Sequence, residues 1–196
     1  MENKPKRLII FISGRGSNME AIMDACEDGI LKGLAHVVCV YSNRIHAEGL
    51  AKARERGIDT FCISSFKKER AAYDKEVLRW LNGQTFDYII LAGYMRVMSD
   101  FLVKEFPRQI INIHPADTLV HQGLGAYQWA FDNQLTETKI TVHFVDEGLD
   151  TGAIIAQKNV PLIHIETIDD VRNQGLAIEH EFYSEAIKLL ITKPQG

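Results

Sequence analysis

Leu8–Ile12 and Tyr88–Ala92 are apolar at every position, and Ile110–His114 is apolar except where Asn112 and His114 interrupt it. A strand with one face in water alternates apolar and polar residues, whereas a strand covered by helices on both faces reads as a continuous apolar run. Such runs demand a sheet held between two helical layers, and the intervening segments supply the helices. Asn18–Glu27 has helical spacing through Met19, Ile22, Met23 and Cys26, and Ala47–Arg56 forms a second helix stopped by Gly57. A long amphipathic helix is expected over Lys67–Asn82, with Gly83 past its end. Strands are expected at Leu8–Ser13, Ala35–Tyr41 and near Thr60–Ile63, besides Tyr88–Ala92 and Ile110–His114, with a further helix over Ala126–Asn133. The pattern then changes. Lys139–Val145 and Ala153–Val160 are consecutive strands joined by the turn Asp146–Gly152, and a final helix covers Ile168–Leu190. These elements predict an α/β fold: a doubly wound, mostly parallel sheet, Rossmann-like, with a late antiparallel hairpin and a C-terminal helix.

One domain spanning 1–196 is expected, because nothing marks a linker, repeat or low-complexity tract. The net charge of -4 excludes a general attraction to nucleic acid or to an anionic membrane, so any anion site must be local. Met1–Arg7 is polar and basic, but the apolar run behind it ends at Ile12, too short for an export segment or a membrane span. Cys26, Cys39 and Cys62 are isolated and lack metal-type spacing. A reduced, cytoplasmic protein with no metal site is the expectation.

Asn112 and His114 stand two residues apart, and side chains at that spacing on a strand point to one side. Ile113 should face the opposite layer. Pro115 biases His114 away from helical angles and ends regular pairing, which puts the pair at a strand's carboxyl end. Ligands of open parallel sheets bind just outside that edge. Asp150, in the later turn, is a carboxylate that could reach the pair. Singly, each residue has an ordinary explanation, since Asp-x-Gly is common in hairpins and a strand-end histidine is often structural. His143 and His36 alternate with apolar neighbours and read as structural. The first strand–helix loop is Ser13-Gly14-Arg15-Gly16-Ser17-Asn18. Its glycines allow close backbone approach, and the helix start offers unpaired N–H groups to an anion. It lacks the Gly-Lys-Ser/Thr of a nucleoside-triphosphate loop, and Met19 stands where a dinucleotide fingerprint needs its third glycine. A phosphate monoester suits it better than either.

This loop, then Leu91-Ala92-Gly93-Tyr94-Met95-Arg96-Val97-Met98-Ser99, then Asn112-Ile113-His114-Pro115 and His143 through Gly152, occur in an order that resembles the phosphoribosylglycinamide formyltransferase family, folate-dependent enzymes of purine synthesis. Ser42-Asn43, Arg70 through Asp74 and Glu179-His180 are similar too, so the resemblance spans essentially the whole chain. It implies 10-formyltetrahydrofolate as formyl donor and glycinamide ribonucleotide as acceptor, with no metal. It implies His114 as proton donor, Asp150 raising the imidazole pKa, and Asn112 contacting donor and intermediate. It also implies Gly16, Ser17, Asn18 and Glu179 at the ribonucleotide, with Arg70, Met95, Arg96, Val97, Met98 and Asn112 at the folate. Partners would be these small molecules, not nucleic acid or membrane, with the chain a monomer or homodimer.

The chemistry suits those residues. A neutral carboxamide donates to an oxyanion without titrating, and an imidazole carries protons near working pH. Two departures stand out. Leu176 occupies a place where a polar substrate contact is expected, and Ala116–Gln122 replaces the family's usual Ser-Leu-Leu-Pro run. That loop either rebuilds a surface or brings Asp117 or His121 into the site. A formyltransferase for another phosphorylated or sugar amine, or a folate- or nucleotide-binding module without catalysis, are the alternatives.

Overall fold

The computed structural model describes residues 4–193. The ends of the expected 1–196 domain, including the first residues of the basic Met1–Arg7 stretch, lie outside the described residues. The elements are β1 (Lys6–Ile12), α1 (Ser17–Glu27), β2 (Ala35–Ser42), α2 (Glu48–Glu55), β3 (Asp59–Cys62), α3 (Arg70–Leu81), β4 (Tyr88–Leu91), α4 (Asp100–Glu105), β5 (Ile110–His114), α5 (Ala126–Asp132), β6 (Glu137–Phe144), β7 (Ile154–Pro161) and α6 (Ile168–Thr192). The strands form one sheet in the order β3-β2-β1-β4-β5-β6-β7. Pairings from β3 through β5 are parallel, and β5–β6 and β6–β7 are antiparallel. The mostly parallel sheet with its late antiparallel hairpin is therefore the observed fold.

The continuous apolar strands feed two cores. Leu8, Ile10 and Ile12 of β1 join one core, while Ile9 and Phe11 join the other. In β4, Tyr88 and Ile90 divide from Ile89 and Leu91 in the same way. This is the alternation of side chains across a pleated strand, with both faces buried. In β5, Ile111 and Ile113 enter the first core and Ile110 the second. Asn112 and His114 share the parity of Ile110, so they face away from Ile113, as their spacing predicts. The fully buried Tyr183 of α6 donates its one hydroxyl hydrogen between the carbonyls of Leu91, at 3.1 Å, and Ile111, at 3.0 Å, pinning the last helix over β4 and β5.

Two local departures have physical causes. The third helix begins at Arg70 rather than at Lys67, because Lys67 sits at φ 56, outside helical space, and the Glu69 side chain caps the helix by accepting from the Ala72 N–H at 3.0 Å. The short α4 carries too few turns to display a period, and its entry is held by the buried Asp74 carboxylate, which accepts from the Ser99 N–H at 2.6 Å. No helix among the described residues is long and apolar enough to cross a membrane.

Candidate active site

The end of β5 places Asn112 and the buried His114 where the sheet turns from parallel to antiparallel. Asp150 arrives from the turn after β6, with its backbone at φ 55, a conformation that Asp adopts more readily than most residues. The three side chains meet. Asp150 Oδ2 lies 3.3 Å from His114 Nδ1 and accepts from the Gly123 N–H at 2.9 Å, while Oδ1 accepts from Asn112 Nδ2 at 3.2 Å.

A fourth member is His143, which reads as structural in the sequence. The antiparallel register sets it opposite Asn112, and its Nε2 lies 3.4 Å from both Asp150 Oδ1 and Asn112 Nδ2. Its Nδ1 must donate to the Phe144 carbonyl at 2.8 Å, which leaves Nε2 to accept from the amide in the neutral ring. The signal for His143 was the β5–β6 register, which a single sequence does not display. His36, also read as structural, is exposed on β2 and supports no core.

The charge balance differs from simple tuning. Burial is the largest influence on His114 and pulls its pKa below the ordinary imidazole value. Asp150 and the His121 carbonyl push it up, as expected for a neighbouring carboxylate, but do not outweigh burial. Asp150 is also pushed up by burial, yet its contact with the His143 ring, the hydrogen bond from the Gly123 amide and the charge that either imidazole carries when protonated hold it below the usual carboxylate range. His114 Nε2 donates to the His121 carbonyl at 3.0 Å, so both ring nitrogens face acceptors and only the doubly protonated ring satisfies both.

The unusual loop resolves into its two halves. Asp117 is bound by Lys139 at 2.7 Å, Gln157 at 3.1 Å and the Leu119 N–H at 3.1 Å, and makes no hydrogen bond to Asn112, His114 or Asp150 among the described residues. His121 does reach it, through its carbonyl and through a ring stacked between His114, at 6.2 Å, and Trp129, at 4.9 Å.

The glycine loop lies at the start of α1, whose N-cap is Gly16 at φ 77 with no side-chain cap. A side chain at Gly49 would collide with Ile12, so that glycine lets α2 pack against the loop, and its N–H binds the Gly14 carbonyl at 3.1 Å. Ser17 is exposed, while Asn18 is buried and donates to Glu179 Oε2 at 2.7 Å. Glu179 also accepts from the Tyr127 hydroxyl, and burial raises its pKa despite both bonds.

The stretch expected to line a folate pocket divides. Met95 and Val97 are exposed, Arg96 lies with its guanidinium 4.5 Å above the Tyr73 ring, and Met98 is turned into the second core. Ser13 ties the stretch to β1, accepting from the Met95 N–H at 2.8 Å and donating to Asn43 Oδ1 at 2.6 Å. Arg70 is exposed at the start of α3. An open cleft of about 670 Å³ lies across the β1, β2 and β3 loops, lined by Arg15, Arg44 and Phe66 among others but by none of Asn112, His114 and Asp150.

A carboxamide, an imidazole and a carboxylate gathered at the carboxyl edge of a doubly wound sheet make a candidate active site of an α/β enzyme. The family described as Formyl transferase matches residues 6–187. The phosphoribosylglycinamide formyltransferase of Escherichia coli (strain K12) is 37% identical over 90% of this chain and 82% of its own length. The trifunctional purine biosynthetic protein adenosine-3 of Drosophila melanogaster is 38% identical over 97% of this chain, which spans 14% of that longer relative. The solved glycinamide ribonucleotide transformylase 1 from Symbiobacterium toebii superposes with a TM-score of 0.89 at 37% identity, covering 95% of this chain and 88% of that one. The chain belongs to the formyl transferase family.

Proposed function

We propose that the chain transfers the formyl group of 10-formyltetrahydrofolate to the amine of glycinamide ribonucleotide. The observation that carries this is the meeting of Asn112, His114 and Asp150, with Asp150 within 3.3 Å of both partners, at the carboxyl end of β5. The acceptor amine attacks the formyl carbon, a C–N bond forms, and the carbonyl electron pair moves to oxygen. Collapse of that tetrahedral centre breaks the bond to the folate nitrogen, and the proton lost by the amine ends on that nitrogen.

His114 moves the proton through Nε2 once the His121 carbonyl gives way, while Asp150 on Nδ1 holds the ring and favours its charged form. Asn112 supplies an N–H to the developing oxyanion, a donor worth about 10²–10³ in rate in comparable sites. In the free protein that amide is spent on Asp150 and His143, at distances long enough to exchange for a stronger acceptor. Gly16, Ser17 and Asn18 receive the phosphate, with Glu179 at the ribonucleotide. Arg70, Met95, Arg96 and Val97 receive the folate, and Met98 supports them from the core. The same reading makes this a single-domain cytoplasmic enzyme, monomer or homodimer, with small-molecule partners.

Purified protein given formyl donor and glycinamide ribonucleotide should release tetrahydrofolate. Absence of turnover with binding intact would leave a binding module. His114→Ala should lower kcat far more than it weakens either ligand, and near-wild-type kcat would remove the proton role. A panel of phosphorylated and sugar amines tests the acceptor, and a larger kcat/KM for another amine would replace this one.

A further inference from the structure

Glu179 has both carboxylate oxygens met by protein donors from different elements: Asn18 Nδ2 on α1, at 2.7 Å, and the Tyr127 hydroxyl on α5. Glu179 is 5% exposed and Asn18 8% exposed, so neither bond is exchanged freely with water. The Tyr127 ring reaches Glu179 through a notch in α6. A Cβ on Gly175 would lie 2.3–2.5 Å from ring and hydroxyl atoms of Tyr127, so only glycine admits the ring there. A carboxylate only accepts, and one held by donors on both oxygens cannot turn. Asn18 therefore commits its NH₂ to Glu179, which leaves its carbonyl oxygen, buried and without a partner among the described residues, as the group a ligand's donor would satisfy.

We propose that Tyr127 is a positioning residue for the acceptor side, fixing through Glu179 the orientation in which Asn18 stands in the glycine loop. The inference rests on the phosphate reading of that loop given above. The ligand it suits is a phosphate monoester that carries a hydroxyl or amide donor close to its anion. It is also a feature of this chain's own residues, since the interlock needs the tyrosine and the glycine together.

The test is a double-mutant cycle of wild type, Tyr127→Phe, Glu179→Gln and the double variant, with kcat and both KM values measured. Tyr127→Phe keeps the ring in the notch and removes one charge-assisted bond, so the KM for glycinamide ribonucleotide should rise on the order of tenfold, with kcat and the formyl-donor KM moving less than about twofold. In the Glu179→Gln background the same change should add little, because Tyr127 acts through the carboxylate. Unchanged acceptor KM in folded Tyr127→Phe would overturn the proposal. So would additive effects in the double variant, or equal rises in both KM values, which a general loosening produces. If Tyr127→Phe does not fold, Gly175→Ala closes the notch with the hydroxyl still present. It should give the same selective rise, and an unmoved acceptor KM there overturns the idea. If wild type does not turn over glycinamide ribonucleotide, the acceptor reading is wrong, and inorganic phosphate titrated into the same proteins by calorimetry decides. Non-additive weakening supports the role of Tyr127, and equal affinities end it.

Discussion

Asp150→Asn isolates charge from shape. Asparagine tolerates the φ 55 backbone of this position, which alanine would strain, so the turn is expected to survive. The carboxamide oxygen stays on the Gly123 N–H, previously bound at 2.9 Å, and the new NH₂ replaces Oδ1, facing the Asn112 amide and His143. What is lost is the negative charge 3.3 Å from His114 Nδ1, together with the bond from Asn112 Nδ2, which an NH₂ cannot accept. At an effective dielectric near 20, two unit charges at that separation attract by about 5 kcal/mol, which is the ceiling. Desolvation already consumes part of it, and a hydrogen bond to a charged group nets about 1.5–3 kcal/mol. A barrier raised by that amount lowers kcat by about 10- to 150-fold. Stopped assays of tetrahydrofolate release across pH should show this fall, with the protonation limb of His114 displaced to lower pH. Urea unfolding near neutral pH should show stability lowered, because a carboxylate held below its ordinary pKa in the fold stabilises that fold while ionised. A kcat within threefold of wild type and an unmoved limb would refute the coupling of Asp150 to His114.

Tyr183→Phe removes a hydroxyl shared by the Leu91 and Ile111 carbonyls, and should cost about 1–2 kcal/mol in urea, or about 2–8 °C in Tm. No loss would mean these carbonyls are satisfied otherwise. Ser13→Ala removes the acceptor of the Met95 N–H and the donor to Asn43 Oδ1, and should lower stability by about 0.5–1.5 kcal/mol while raising the donor KM more than the acceptor KM. Equal KM changes would break the link from Ser13 to the folate side. The depressed pKa of His114 stabilises the fold above the unfolded-state value of about 6.5, and that contribution is lost as pH falls through the lower folded value. Between pH 7.5 and 5.5, wild type should therefore lose more unfolding free energy than His114→Asn, and equal losses would contradict the shift.

What could be read from the residues alone followed periodicity. The strand Ile110–His114 falls where its apolar run places it, and the two-residue spacing of Asn112 and His114 does put them on one side. The turn carrying Asp150 reaches them as expected. The missed features depend on partners distant in sequence. His143 joins the site only through cross-strand register, and Tyr127 touches Glu179 only because α5 and α6 pack together. The direction of the His114 shift needed the burial of the ring, which no motif encodes.

The bond from Asn18 to Glu179 joins residues 161 positions apart. During synthesis the glycine loop, its strand and its first helix are complete long before α6 exists, and closing so long a loop is slow compared with forming local turns. A nascent chain can thus hold the loop's backbone while its carboxylate partner is still missing. Ligand affinity on the phosphate side would then arrive late and abruptly, when the final helix docks, and would report on completed folding rather than on the loop itself.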